Sequence, residues 1–181
     1  MKGFLTAIFF FCLLIPRAFA QHYNPVEQNS IVQFHVSHQM IFKSTVTGSF
    51  KGLKGTIIFD PKNLPGSLFD VSVLTNTIST GTGMRDNDLK KEKYFNALKF
   101  PLITIKSQTI TTSDNDNKYT LSASLTIKGT TQTITFPFTA TPQNGGYIFK
   151  GHFKINRLEF NIGPDNSIDK EVEIDLNVTA K

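Results

Sequence analysis

The feature that most constrains this fold is the alternation of apolar and polar residues along most of the chain. A period of two places alternate side chains on opposite faces of a β-strand. Between Glu171 and Thr179, for example, Val172 and Ile174 share one face while Glu173 and Asp175 share the other. The predicted strands, eight or nine in all, span residues 32–38, 44–50, 55–60, 69–78, 102–111, 119–128, 131–140, 147–155 and 171–179.

Strands of this kind must hide their apolar faces and their unpaired edges. Short turns join most of them, such as Lys128-Gly129-Thr130 and Gln143-Asn144-Gly145-Gly146. Consecutive hairpins favour an all-β, antiparallel up-and-down barrel. About eight strands enclose an interior that side chains or one small ligand can fill. A two-sheet sandwich is the open alternative, whereas an outer-membrane barrel is disfavoured because the outward faces carry Thr, Lys, Glu and Asp.

One segment breaks the strand pattern. Residues 80–83 alternate Thr and Gly, and Asp and Asn residues then precede the helix-favouring run Leu89-Lys90-Lys91-Glu92-Lys93. Asp and Asn are typical helix caps, and Lys, Glu and Leu favour helix. Phe100 precedes Pro101, which favours an extended conformation and ends the segment. We therefore predict one short helix near residues 86–96, from about Asn87 to Phe95.

The first twenty residues have the pattern of a secretory signal peptide. Lys2 precedes the apolar run from Phe4 to Ile15, and Ala18-Phe19-Ala20 matches a cleavage site. The run is short for a membrane span. We expect export to the periplasm or the outside of the cell, with residues 21–181 as one domain that has no transmembrane span. An uncleaved anchor is the alternative.

Charge and cysteine content narrow the function classes. The chain has net charge +5, which falls to +3 when Lys2 and Arg17 leave with the leader. The lysines are scattered except at Lys90, Lys91 and Lys93, so the sequence shows no nucleic-acid footprint. The single cysteine, Cys12, lies in the leader, which excludes disulfides, thiol catalysis and cysteine metal sites from the mature chain.

The chain is rich in phenylalanine, with 17 Phe and no Trp. Aromatic side chains carry large apolar area, so they either fill the core or line an apolar cavity. The candidate lining residues are those that the alternation places on the inward face of each strand. These are Phe34, Val36, His38, Phe50, Phe59, Val71, Leu125, Phe136, Phe138, Phe149 and Phe153.

Groups that could perform catalysis or bind a metal are few. His38 falls at the end of a strand on the inward phase, where a barrel mouth would lie, while His35 should face solvent. Asp86 and Asp88 resemble paired carboxylates, but helix capping explains them more simply. Residues 114–117 resemble part of a calcium loop without its later Gly and Glu. We predict no catalytic constellation, no metal site and no cofactor.

Several motifs, in this order, resemble the YceI family. The similarity runs from about Val32 to the C-terminus. Asp88 stands where the family often has His, which removes one polar contact at the start of the helix. The matching pieces are Phe34-x-Val36-x-His38, Gly48-x-Phe50, Gly55-Thr56-Ile57-Ile58-Phe59-Asp60, Ile78-Ser79-Thr80, Arg85-Asp86-x-Asp88-Leu89, Tyr94-Phe95, Phe100-Pro101, Leu125-Thr126-Ile127-Lys128-Gly129 and Asn156-Arg157-Leu158-Glu159-Phe160-Asn161-Ile162-Gly163.

The resemblance implies a lipocalin-like barrel, usually periplasmic, with a long apolar cavity that holds a polyisoprenoid in some members. It implies no catalytic residues. The first hypothesis is therefore an exported carrier that binds an apolar lipid. Two alternatives are an enzyme that uses His38 or Asp86 and Asp88 at the barrel mouth, and a partner-binding domain with exposed Thr-rich strands. The sequence leaves the oligomeric state open, with a homodimer as one option.

Overall fold

The computed structural model describes residues 21–39, 43–113, 117–164 and 168–181. The predicted leader, residues 1–20 with Cys12, lies outside the described residues, and so does most of the polar turn at residues 114–117. His38 keeps its place in a strand, but its side chain lies outside the described part of the chain, so its predicted position at the mouth stays a prediction.

Nine strands and one helix make up the described fold, and all strand pairs are antiparallel. Strands β2 to β9 follow one another around the wall, and β3 pairs with both β2 and β4, which closes the barrel. The prediction of an all-β, lipocalin-like barrel of about eight strands with one inserted helix is confirmed. The elements are β1 (His22–Tyr23), β2 (Ile31–Gln39), β3 (Lys43–Ile58), β4 (Leu68–Ser79), α1 (Gly83–Leu89), β5 (Leu102–Thr112), β6 (Lys118–Ile127), β7 (Thr130–Gln143), β8 (Gly146–Asn156) and β9 (Ile168–Ala180).

Strand β3 corrects one detail of the sequence prediction. The sequence predicts separate strands at residues 44–50 and 55–60 with a turn between them, but β3 runs through residues 51–54 without ending. The pairing of β3 with β4 shifts register on both sides of Lys51, and Gly52 and Gly55 adopt φ angles of 74° and 135°. Glycines that take positive φ bend a strand without ending it. The bend lets the first half of β3 pair with β2 and the second half with β4.

The helix begins and ends earlier than predicted. It spans Gly83–Leu89, and a series of turns follows as far as Phe100. The carbonyl of Leu89 accepts the N–H of Phe95, and the carbonyl of Lys90 accepts the N–H of Ala97. These bonds turn the chain inward and bury Phe95 and Ala97. Burial of these two side chains outweighs the helix propensity of the intervening Lys and Glu residues.

Because the strands run up and down, successive connections lie at opposite ends of the barrel, here called the mouth end and the closed end. The mouth end carries the β2–β3, β6–β7 and β8–β9 connections together with the helical segment between β4 and β5. The closed end carries the β3–β4, β5–β6 and β7–β8 connections together with the C-terminus and the first described residues. At the mouth end, the N–H of Gly163 donates to the carbonyl of Lys93 at 3.0 Å, which joins the helical segment to the β8–β9 connection.

Aromatic rings fill the closed end. Phe59 lies at the centre of this aromatic cluster and is 1% exposed. Its ring centroid lies 5.1 to 6.3 Å from those of five other rings, mostly edge to face, a geometry that aromatic pairs prefer. The cluster consists of Tyr23, Phe59, Phe69, Tyr119, Phe138, Tyr147 and Phe149.

Main-chain pairing of the two chain ends completes the closed end. Asn24 and Lys181 exchange N–H to carbonyl hydrogen bonds of 2.7 and 3.0 Å, and the N–H of Val26 donates to the carbonyl of Thr179. Strand β1 adds to β3 at Ile57 and Ile58. The N-terminal segment therefore covers the part of the β3 edge that β2 does not reach.

The seam between β7 and β8 is partly unpaired. Strand β7 pairs with β6 from Thr130 to Thr139 but with β8 only from Phe138 to Gln143. The pairing with β8 stops next to Pro137, which has no N–H to donate to a ladder. The sequence predicts an edge position or a bulge for this proline, and the local edge agrees with it.

Phe59 should carry a large share of the stability of the closed end. We expect Phe59→Ala to lower the free energy of unfolding by about 4 kcal/mol, because it leaves a cavity among packed rings. Leu98→Ala is the matched control, since Leu98 is 99% exposed, and should change it by less than about 0.5 kcal/mol. Urea denaturation of both variants measures the difference. Equal losses would contradict a central role for Phe59.

Candidate functional site

A cavity of about 510 Å³ occupies the barrel interior on the mouth side of the aromatic cluster. This volume falls within the range of small-molecule binding sites in proteins. None of the seven rings of the cluster belongs to its lining. The cluster therefore lies outside the cavity, although Val178 of the lining pairs with Phe149 of the cluster.

Aliphatic side chains and a few rings form most of the lining, and they come from strands around the barrel. Some of them, such as Val71 and Ile103, are half-buried, whereas others, such as Leu125 and Phe153, are buried. The strands contribute Val32, Phe34, Val36, Val46, Phe50, Leu53, Val71, Val73, Ile103, Ile105, Leu125, Ile127, Phe153, Ile155, Ile168, Val172, Ile174, Leu176 and Val178.

The helical segment and the β8–β9 connection cover part of the mouth. Leu89, Tyr94, Phe95 and Ile162 contribute apolar surface to the lining. The Tyr94 ring lies against Gly163, where an added Cβ would come within 2.8 Å of the ring. This close approach explains the need for glycine at the contact. Met84, which is 79% exposed, belongs both to the lining and to the outer surface, so the cavity opens beside the helix.

Four polar side chains of the lining lie near this opening. Thr80, Thr82, Arg85 and Asp88 come from the end of β4 and from the helix. The Nε of Arg85 donates to the Thr80 hydroxyl at 2.7 Å, and its Nη2 donates to the Thr80 carbonyl at 2.9 Å and to the Thr82 hydroxyl at 3.3 Å. These bonds fix the guanidinium at the rim of the cavity.

Asp86 helps to fix Thr80, the residue that holds the Arg85 guanidinium. Its carboxylate accepts hydrogen bonds from the N–H and the hydroxyl of Thr80. The bond from the hydroxyl, more than any other contact, lowers the pKa of the Asp86 carboxyl below its usual value. Asp86 thus ties the helix to the strand before it, although Thr82 rather than Asp86 holds the N-cap position.

Arg157 organises the β8–β9 connection. Its side chain is buried, and its guanidinium donates to the carbonyls of Ile162, Pro164, Ile168 and Asp169 at 2.7 to 2.9 Å. Arginine suits this role because its planar fork can reach several acceptors at once. Through these bonds Arg157 positions Ile162 and Ile168 in the wall of the cavity.

The structure separates the predicted lining residues into two groups. Phe34, Val36, Phe50, Val71, Leu125 and Phe153 line the cavity. Phe59, Phe138 and Phe149 belong to the aromatic cluster instead, because their strands place them at the closed end. Phe136 stacks on Phe153 with centroids 4.3 Å apart and faces a cleft along the β7–β8 seam.

Sequence reasoning missed other parts of the site. Ile103 and Ile105 alternate correctly in a predicted strand, so their inward phase was a usable signal. Arg85 and Thr82 had no such signal, because they follow the strand and reach the rim through the turn before the helix. A residue that reaches the site from a turn follows no strand periodicity, so the alternation cannot identify it.

The outer wall carries a second group of ionisable side chains. Asp175 contacts the Nε2 of His35 at 3.0 Å and the Nδ1 of His152 at 2.8 Å, across three adjacent strands. The bond to His152 is the main cause that lowers the pKa of Asp175. In the described part of the chain, no cluster of three or more His, Cys, Asp or Glu side chains has the arrangement needed to hold a metal ion.

Within the described ranges, no helix is both long enough and apolar enough to cross a membrane.

The bond between Asp86 and Thr80 predicts a pH-dependent stability. A carboxyl whose pKa is lowered by folding stabilises the fold above its unfolded pKa of about 4 and loses that contribution as pH falls through the folded pKa. We therefore expect Asp86→Ala to be destabilising at pH 6, and the effect to be smaller at pH 3, below the unfolded pKa. Urea denaturation at both pH values measures it.

Asn87→Ala is the control for this measurement, because Asn87 is exposed on the same helix and does not titrate. Its effect on stability should stay the same at both pH values. A pH-independent effect of Asp86→Ala would show that the carboxylate is not the stabilising form.

Comparison with known proteins gives the family. A family model of the YceI-like domain matches residues 23–180. A UPF0312 protein of Yersinia enterocolitica is 31% identical over 158 residues, which cover 83% of this chain and 80% of the relative. The crystal structure of BcnA from Burkholderia cenocepacia has a TM-score of 0.80 and 28% identity, and it covers 87% of this chain and 99% of BcnA.

A more distant structure has the same fold. It is a polyisoprenoid binding domain from Saccharophagus degradans, with a TM-score of 0.73 and 15% identity over 88% of this chain and 97% of that domain. At this identity the similarity shows the shared barrel alone. The match to the family model over nearly all of the described barrel, together with the Yersinia relative, shows that the chain belongs to the YceI-like family.

Proposed function

We propose that this protein is an exported, non-catalytic binding protein that holds an isoprenoid or another long apolar lipid in its barrel. The observation that carries the proposal is the cavity of about 510 Å³ with its mainly apolar wall. The polyisoprenoid binding domain from Saccharophagus degradans, which has the same fold, supports the ligand class. The leader pattern of residues 1–20 supports export of the domain that follows it.

The energetics of such a cavity favour long chains over short ones. Each buried CH₂ contributes about 0.8 kcal/mol, so ten of them contribute roughly 8 kcal/mol. Association costs at least about 4 kcal/mol in lost freedom, and micromolar binding needs about 8 kcal/mol net. A ligand that binds through apolar contacts alone therefore needs about fifteen buried carbons, the length of three isoprene units.

The carboxylates near the mouth support the non-catalytic part of the proposal. Asp86 accepts hydrogen bonds from Thr80, and Asp88 accepts one from the Nζ of Lys91 at 2.7 Å. Both groups are engaged in local contacts that hold the helical segment. Structural roles account for them without proton transfer to a substrate.

The direct test is mass spectrometry of the organic extract of the purified protein, with a matched pair of variants on one strand. Ile105 lines the cavity, whereas Lys106 beside it points outward. Ile105→Trp narrows the cavity and should reduce the amount of co-purifying lipid, while Lys106→Trp should retain it.

Thermal unfolding of both variants shows that each is folded before the extracts are compared. A wild-type protein that yields no apolar compound, and that binds no added isoprenoid alcohol, would contradict the proposal. Equal lipid content in the two variants would place the ligand outside the barrel.

A further inference from the structure

We propose that Arg85, held by Thr80 and Thr82, forms a head-group subsite at the mouth that selects amphiphiles with an anionic head, a carboxylate or a phosphate. The proposal rests on the proposed function, because it assigns the chemistry of the end of the ligand that stays at the rim. The apolar chain then lies in the barrel and the charged head lies beside the helix.

The first support is the way in which the guanidinium is fixed. Three hydrogen bonds to Thr80 and Thr82 occupy its Nε and Nη2 atoms. Its Nη1, with two further N–H donors, donates to no residue in the described part of the chain. The side chain is half-buried and belongs to the cavity lining. A donor group is thus held in place at the rim with capacity for another acceptor.

The second support is that no carboxylate neutralises this charge directly. Asp86 is bound to Thr80 and Asp88 to Lys91. Among the described residues, no Asp or Glu oxygen lies within ion-pair distance of the Arg85 guanidinium. A half-buried guanidinium that bonds directly to no carboxylate, with Asp86 beyond the Thr80 hydroxyl, can bind an anionic acceptor, because charge-assisted bonds to carboxylate or phosphate are the strong ones.

The third support is the position of the polar groups relative to the apolar wall. Arg85 and Thr82 lie at the opening beside Met84, and the aliphatic strands extend from there toward the aromatic cluster. Lys90 follows on the same segment and adds positive charge near the rim. This arrangement favours a single-chain amphiphile with its tail inward and its acidic head at Arg85.

The test compares ligands that share one chain and differ in the head. The purified protein, stripped of bound lipid, is titrated calorimetrically with farnesol, farnesoic acid, farnesyl phosphate and farnesylamine. We expect at least one anionic ligand to bind about ten-fold tighter than farnesol, and farnesylamine to bind more weakly than farnesol. The tighter of the two acids tells whether carboxylate or phosphate is preferred.

Variants then assign the preference to Arg85. Arg85→Gln should reduce the advantage of the anionic ligand to within about two-fold while the affinity for farnesol stays the same. Arg85→Lys, which keeps the charge but loses the fork, should retain only part of the advantage. Lys93→Gln removes an exposed cation of the same segment and should leave the advantage unchanged.

The outcomes separate the two proposals. If the wild type binds farnesol but shows no preference for the acids, or if Arg85→Gln keeps the wild-type preference, the head-group subsite is overturned and lipid binding stands. If none of the four ligands binds, the proposed function itself fails. Unchanged farnesol affinity in Arg85→Gln confirms that the variant is folded and that the chain site is intact.

Discussion

Closure of the barrel depends on β3, which hydrogen-bonds to a different neighbour along each half of its length. Its first half pairs with β2 and its second half with β4, and the bend at Gly52 and Gly55 makes both ladders compatible. A side chain at Gly55 would lie 2.1 Å from the carbonyl oxygen of Asp70, so only glycine permits the approach of the two strands. Because every strand of the closed wall then has two neighbours, the apolar faces of the sheet turn inward together. The cavity, its rim and the aromatic cluster all follow from that closure.

The size of the inward side chains decides which half of the barrel is empty. At the closed end, Phe and Tyr rings reach across the interior and meet one another around Phe59. Toward the mouth, β4, β5 and β9 supply mainly Val and Ile, which are too short to meet across the barrel. Interiors of proteins are otherwise close-packed, so a large apolar void is unusual unless something fills it. The change from aromatic rings to branched aliphatic residues therefore leaves a cavity that packed rings close at one end.

Alternation in the sequence was sufficient to predict the strands, their inward faces and the closed sheet. The depth of each residue was not accessible in the same way. Phe149 and Phe153 share one strand and one face, yet Phe149 is in the aromatic cluster and Phe153 lines the cavity, since the point at which rings stop meeting across the barrel depends on the other strands. The bend in β3 was hidden because Gly52 and Gly55 read equally well as a turn. The helix moved toward Gly83 because burial of Phe95 overrides local propensity, which only tertiary contacts reveal.

The paired chain ends have a geometric consequence for anything attached to this domain. Asn24 and Lys181 are hydrogen-bonded neighbours at the pole of the barrel that is opposite the opening beside Met84. A module joined at Lys181, or to the chain just before Asn24, is thus anchored at the opposite end of the barrel from this opening. The domain can be linked to a surface or to another protein through these ends while its opening stays unobstructed and directed away from the attachment.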